Sequence, residues 1–185
     1  AMRAPRLGPG GRFLTRPGLF SWDRVDPGSR LLAETLPADL AGRVADLGSG
    51  WGWLADAVLR RCPGVRALDL YEADRCALDL ARRNLDGARA DAALAYRWHD
   101  VAAGLPAGIY DAIVTNPPFH EGRAARPELG QAFIAAAAEG LRRRGRLWLV
   151  ANRNLPYERT LAAHLVDTAV VAERDGFKVL TGRRK

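Results

Sequence analysis

Asn116, Pro117 and Phe119, in the stretch "TNPPFH", have the types and spacing to hold a planar amino group. The apolar run "YDAIV" before them reads as a buried strand. The two prolines forbid that strand from continuing, because each lacks the N–H that a strand ladder needs. The backbone carbonyls of Asn116 and Pro117 can then face outward without a neighbouring donor competing for them, and the Asn116 side-chain carbonyl adds another acceptor. Phe119 offers a flat apolar face on which a base can stack. His120 could accept a proton here, or equally hold backbone or phosphate.

A second group of residues lies at "DLGSGWGWLA", where Asp46, Gly48, Ser49, Gly50 and Gly52 follow an apolar run. Glycines at this spacing let the backbone turn sharply and let a ligand approach closer than a Cβ would permit. A dinucleotide fingerprint would need a further glycine where Trp53 stands, which weakens a nicotinamide reading. Glu72, at the end of the next apolar run, can accept both hydroxyls of a ribose. Asp69 is its rival but lies inside the run. Asp100, after a third run, can accept from an adenine amino group while the Val101 N–H meets a ring nitrogen. One acid at a strand end is as readily a cap, whereas three at consecutive strand ends point to a nucleoside.

Positioning these groups requires a particular fold. Strand-like runs at residues 43–48, 65–72, 95–100, 110–116 and 145–152 alternate with helix-like runs at 52–62, 75–85 and 128–141. A further helix at 25–36 precedes them, with Asp26 as its cap and Pro27 at its first position. Strict alternation predicts an open α/β sheet of parallel strands with crossover helices. A helix at 157–166 and two β-rich runs about Asp175-Gly176 predict a closing antiparallel hairpin and seven strands in all. Residues 1–18, rich in Gly and Pro and carrying Arg3, Arg6, Arg12 and Arg16, read as a flexible basic arm ahead of a domain at 19–185.

The net charge of +7, carried mostly by arginine, favours an anionic partner such as nucleic acid. Arg142, Arg143, Arg144 and Arg146 cluster near a helix end, where cations would also complement the helix dipole. No apolar stretch is long enough to cross a bilayer and no signal-peptide pattern opens the chain, so a cytoplasmic location is expected. Cys62 and Cys76 lack metal-site or disulfide spacing, and no metal is expected.

Taken together, "DLGSGWG", Glu72, Asp100 and "NPPF" resemble the class I S-adenosylmethionine-dependent methyltransferases that act on amino groups. "PGLFSWDRVDPGSRLLAETL", "NPPFHEG", "VANRNLPYE" and "FKVL" narrow the resemblance to the catalytic domain of the ribosomal RNA guanine-N2 methyltransferases, over about residues 17 to 183. The resemblance implies a Rossmann-like seven-stranded methyltransferase sheet and S-adenosyl-L-methionine as cofactor. Asp46, Gly48, Ser49, Gly50, Gly52, Glu72, Asp100, Val101 and Asn116 would hold it, and the segment Phe20 to Ser29 would fold over its methionine end. Methyl transfer to N2 of a guanine in ribosomal RNA would use Asn116, Pro117 and Phe119. Protein glutamine, adenine N6 in nucleic acid, and a catalytically silent RNA-binding module are the other readings. Ser49 stands where the family commonly has cysteine. In the family a second, degenerate domain precedes this one, which leaves open a fragment, a single-domain relative relying on its arginine arm, or a different substrate.

Overall fold

The computed structural model describes residues 4–118, 120–121, 124–125 and 127–185. A short pair, β1 (Arg6–Leu7) and β2 (Leu14–Thr15), precedes α1 (Pro27–Thr35), β3 (Ala41–Leu47), α2 (Trp53–Arg61), β4 (Gly64–Glu72), α3 (Arg75–Asn84) and β5 (Ala93–Trp98). There follow β6 (Tyr110–Thr115), β7 (His120–Glu121), β8 (Ala124–Ala125), α4 (Pro127–Gly140), β9 (Leu141–Asn152), α5 (Tyr157–His164), β10 (Val166–Arg174) and β11 (Phe177–Arg183).

Seven of the strands form one sheet in the order β10-β11-β9-β6-β3-β4-β5. The five from β9 to β5 run parallel, and β11 pairs antiparallel with both β9 and β10. The expected turn closes that hairpin: Asp175 and Gly176 both take positive φ, 52° and 80°, as the tight hairpin turn requires. Both faces of the central strands are covered, which is why they read as nearly continuous apolar runs. Val44 packs with Leu32, Leu54 and Leu78 of α1, α2 and α3, whereas Ala45 and Leu47 belong to a second core with Ile134 and Leu161 of α4 and α5. The chain moves outward from β3 to β4 and β5, then returns to β6 on the other side. The crevice that such a reversal opens at the carboxyl ends of the strands therefore lies between β3 and β6.

Residues 4–18, read above as an arm, are docked on the domain. Phe13 is buried with Trp51 and Leu80, its ring centroid 5.4 Å from that of Trp51. Asn84 of α3 accepts from the Leu14 N–H at 2.7 Å and donates to the Leu14 and Trp51 carbonyls, and Arg12 pairs with Asp56. Glycine and proline punctuate the backbone here, but an aromatic anchor, an amide bridge and an ion pair hold it.

The arginine cluster does follow a helix end. Helix α4 ends at Gly140, and Arg142–Arg146 belong to β9. Among the described residues no helix is long and apolar enough to cross a membrane, and no group of acids, histidines or cysteines could hold a metal ion. Cys62 is a buried free thiol.

Candidate active site

At the end of β3 the chain enters the glycine turn. The N–H groups of Gly48 and Ser49 both donate to the Tyr71 carbonyl of β4, at 2.9 and 3.0 Å, which fixes the turn against the neighbouring strand. Gly50 then takes φ 54°, a left-handed conformation that side-chain-bearing residues rarely adopt. Its N–H donates to Glu72 Oε2 at 2.8 Å. A Cβ on Gly50 would meet nothing within 4 Å, so the turn leaves room on the cleft that Gly50 lines.

Beneath the turn Asp46 is 1% exposed, and neither of its carboxylate oxygens has a hydrogen-bond partner. Burial, and then repulsion from Glu72, push its carboxyl up to about 8; the Ala55 backbone N–H, outside the geometry of a normal hydrogen bond, lowers it only weakly. The Ser49 hydroxyl is likewise buried without a partner. Unmatched buried polar atoms beside an open glycine turn are the features of a polar ligand's seat.

Across the crevice stands the end of β6. Thr115 is buried and its Oγ1 donates to the Leu47 carbonyl at 2.8 Å, tying β6 to β3 where both strands stop. Asn116 follows. Its Nδ2 donates to Asp26 Oδ2 at 2.9 Å and to Ser29 Oγ at 2.8 Å. The partner of that first bond is a carboxylate oxygen, so the amide nitrogen, not the oxygen, must face it. Both amide hydrogens are thereby taken, and Oδ1 is the part of the side chain with capacity to spare. The same Asp26 Oδ2 accepts from the Ser29 N–H at 2.7 Å as the cap of α1. A Cβ on Gly48 would lie 3.9 Å from the Asn116 carbonyl oxygen, so the glycine turn and the proline loop flank one cleft. Pro117 is buried and Pro118 exposed.

Gly48, Ser49, Gly50 and Asn116 line that cleft together with Phe20, Ser21, Asp26, Ser29, Trp51, Trp53 and Leu54. About 460 Å³ of space, open solvent at the mouth included, lies among these residues. Of the other residues singled out from the sequence, Gly52 caps α2 with φ 92° and Glu72 closes β4, accepting from Gly50 and, through Oε1, from the Asp74 N–H at 2.9 Å. Asp69 is occupied elsewhere, accepting from Tyr110 Oη and Arg43 Nη2, both at 2.8 Å. Asp100 is exposed and caps a short 3-10 turn, accepting from the Ala102 N–H at 2.9 Å, while Val101 is buried. Both lie one strand further along the carboxyl edge, where the His99 N–H donates to the Glu72 carbonyl at 3.1 Å. His99 Nε2 meets the Gly104 carbonyl at 2.7 Å, and His164 sits exposed in the last turn of α5. Phe119 lies outside the described residues. The backbone of His120 pairs with Ala125.

Sequence reasoning placed Phe20 to Ser29 over the cleft only through the resemblance, and it missed the tie from Asp26 and Ser29 to Asn116. It also missed two aromatic walls, Trp51 and Trp53, although both sit inside the quoted glycine stretch. The indole N–H of Trp51 donates to the Phe20 carbonyl at 3.1 Å, which holds the entry segment at the mouth. Phe20 itself is 65% exposed. The arrangement can hold a polar ligand over the glycine turn, screen it with aromatics, and present an amide oxygen to a second molecule.

The model of the methyltransferase small domain matches residues 10–181. The ribosomal RNA small subunit methyltransferase C of Pseudomonas paraeruginosa (strain DSM 24068 / PA7) is 40% identical over 178 residues, covering 94% of this chain and 51% of the relative. The protein of the same name from Shewanella sp. (strain MR-4) is 38% identical over 162 residues, covering 88% and 46%. The chain thus spans about half the length of these relatives. Among solved structures, a T. thermophilus 16S rRNA N2 methyltransferase in complex with AdoMet and guanosine superimposes with a TM-score of 0.79 at 32% identity, over 94% of this chain and 47% of that one. A ribosomal protein L11 methylase from Lactobacillus delbrueckii subsp. bulgaricus, 20% identical, shares the fold with a TM-score of 0.69 over 92% of this chain and 84% of that one.

Proposed function

The chain belongs to the methyltransferase small-domain family, and from that premise we propose that it methylates the exocyclic N2 of a guanine in ribosomal RNA, with S-adenosylmethionine as donor. One observation carries the reading: the Asn116 amide hydrogens are both taken by Asp26 and Ser29, so its oxygen is left to accept from an incoming amino group. Relatives 38–40% identical to this chain are named ribosomal RNA small subunit methyltransferase C, and a solved neighbour 32% identical holds AdoMet and guanosine.

The residues present fit the donor. Gly48, Ser49 and Gly50 form an open turn, Asp46 and Ser49 bring buried polar atoms without partners, and Glu72 supplies a carboxylate at the next strand end. Asp100 and Val101 extend the row toward a base. When bound, S-adenosylmethionine supplies an electrophilic methyl group on a sulfonium sulfur.

Guanine N2 is a weak nucleophile because its lone pair is delocalised into the ring. Asn116 Oδ1 accepts one amino hydrogen and the Pro117 carbonyl the other, which favours a tetrahedral nitrogen and orients its lone pair. Phe119 stacks on the base and fixes its plane. Asp26 and Ser29 hold the Asn116 amide in the accepting orientation, so that its dipole is set before substrate arrives. No strong base is needed, because the nitrogen's proton becomes acidic as the new bond forms. The test is product analysis: label from the donor should appear as N2-methylguanosine in RNA. Label in protein or as methyladenine would overturn the assignment.

A further inference from the structure

The carboxyl edge of the sheet carries the cleft; the opposite edge carries a concentration of arginine that the cleft does not use. Tyr110 of β6 pairs with Leu141 of β9, but Ala112 pairs with Arg146. Two steps along β6 thus match five along β9, and the surplus residues bulge from the sheet. They are Arg142, Arg143 and Arg144, all exposed, with Arg144 at φ 65°, a conformation that costs a side-chain-bearing residue energy.

Next to the bulge, the end of β11 and the residue after it bring in two more, Arg183 and Arg184. Arg183 is the register partner of Arg146, and like charges directly opposite on a pair of strands repel. The Arg184 N–H donates to the Gly145 carbonyl and the Arg144 N–H to the Arg184 carbonyl, at 2.9 and 3.0 Å, so the two segments are locked side by side. Three acids face this surface. Asp111 pairs with Arg142 and Asp167 with Arg183, while Asp39 lines the same groove. Among the described residues Arg143, Arg144 and Arg146 have no anionic partner, although each is exposed. Complementing the dipole of α4 accounts for a cation or two just past Gly140, but not for Arg146 and Arg183 set opposite each other beside a strained bulge.

We propose that this edge is a docking surface for the phosphate backbone of RNA, gripping a part of the molecule remote from the guanine being modified. It rests on the reading that RNA is the substrate and adds where it is held. The six residues of β6 span about 20 Å at roughly 3.3 Å each, so the two edges are far enough apart to engage separate segments of a folded RNA. Arginine forks suit phosphate oxygens, and a backbone grip positions without reading sequence. The cleft then selects the base while the arginine edge supplies affinity.

The test measures binding of a fluorescently labelled small-subunit ribosomal RNA transcript to this chain over a range of salt. Arg143→Glu/Arg146→Glu should weaken binding at least about tenfold near 0.1 M salt and lower the slope of log K against log salt by about 1 to 2, the loss of one or two phosphate contacts. Arg143→Ala/Arg146→Ala should show a smaller loss in the same direction. Arg82→Glu/Arg83→Glu, on the exposed face of α3 and matched in charge, should change affinity less than about threefold. S-adenosylmethionine affinity should be unaltered in all three, which also reports that each is folded. An unchanged slope in the first pair of variants, or an equal loss in the α3 variant, would overturn the surface. If the parent chain makes N2-methylguanosine and Arg143→Glu/Arg146→Glu does so with unaltered KM, the surface fails and the function stands. If the surface variants lose RNA binding but the parent labels only protein, the surface stands and the function fails.

Discussion

The side-chain amide of Asn116 donates to Asp26 Oδ2 at 2.9 Å, joining residues 90 positions apart in the chain. Because the same carboxylate oxygen caps α1 through the Ser29 N–H, the helix before the sheet and the loop after β6 share one anchor. Asp26→Asn can still cap the helix but accepts from Asn116 only as a neutral group. It should keep most of the stability and lower kcat about tenfold with KM for the donor little changed. Asp26→Ala removes cap and anchor together and should in addition cost about 1 kcal/mol of stability. Equal kcat in wild type and both variants would show that the anchor is only structural.

Gly50 provides a sharper test of where the donor lies. Gly50→Val places a branched side chain at φ 54°, a conformation costing roughly 1–2 kcal/mol, and fills space next to the cleft that is open in the native turn. Donor affinity measured by calorimetry should fall by more than about 30-fold while the folded population persists. Unaltered affinity would place the donor elsewhere.

Asp46 makes the stability of the unliganded protein depend on pH. Its carboxyl titrates about 8 when folded against an ordinary 3.8, so between those values the native state holds a proton that the unfolded chain has released. Stability therefore falls as pH rises across this window; the contribution is fully present below about pH 4 and gone above about pH 8. Urea midpoints of wild type and Asp46→Asn should diverge in favour of the variant as pH rises from 5 to 8. Parallel curves would contradict the raised value.

Phe13 tests whether the docked segment belongs to the domain. It is 6% exposed against Trp51, a wall of the cleft. Phe13→Ala should cost about 3 kcal/mol, read from a denaturant midpoint. A loss below about 0.5 kcal/mol would mean that the segment contributes little.

These sites mark how far the sequence could be read. The order of strands and helices followed from local patterns: alternating apolar runs, Asp26-Pro27 at a helix start and Asp175-Gly176 at a turn are signals carried by neighbours in the chain. Gly48, Gly50 and Asn116 could be singled out because each lies in a short stretch at a strand end, and the structure places all three on one cleft. The tie between Asp26 and Asn116 was not, since nothing local relates residues so far apart. Phe13 was hidden because a lone aromatic among glycines and prolines has no period to reveal which face it buries. The arginines were visible as a cluster near a helix end, but only the bulge in β9 shows that they gather at one end of the sheet. The Asp100 side chain accepts from the Ala102 N–H, and that bond is the capping role an isolated acid at a strand end always allows.

The most direct measurement is transfer of label from S-adenosylmethionine into small-subunit ribosomal RNA, assembled subunits, DNA and protein, followed by nucleoside mass analysis, for wild type and Asn116→Ala. The expected result is N2-methylguanosine in RNA or the subunit that falls about a hundredfold to a thousandfold in the variant, while donor affinity stays within about threefold. Label in protein or as methyladenine, or a variant that loses donor binding as completely as turnover, would contradict the role assigned to Asn116 and the chemistry built on it.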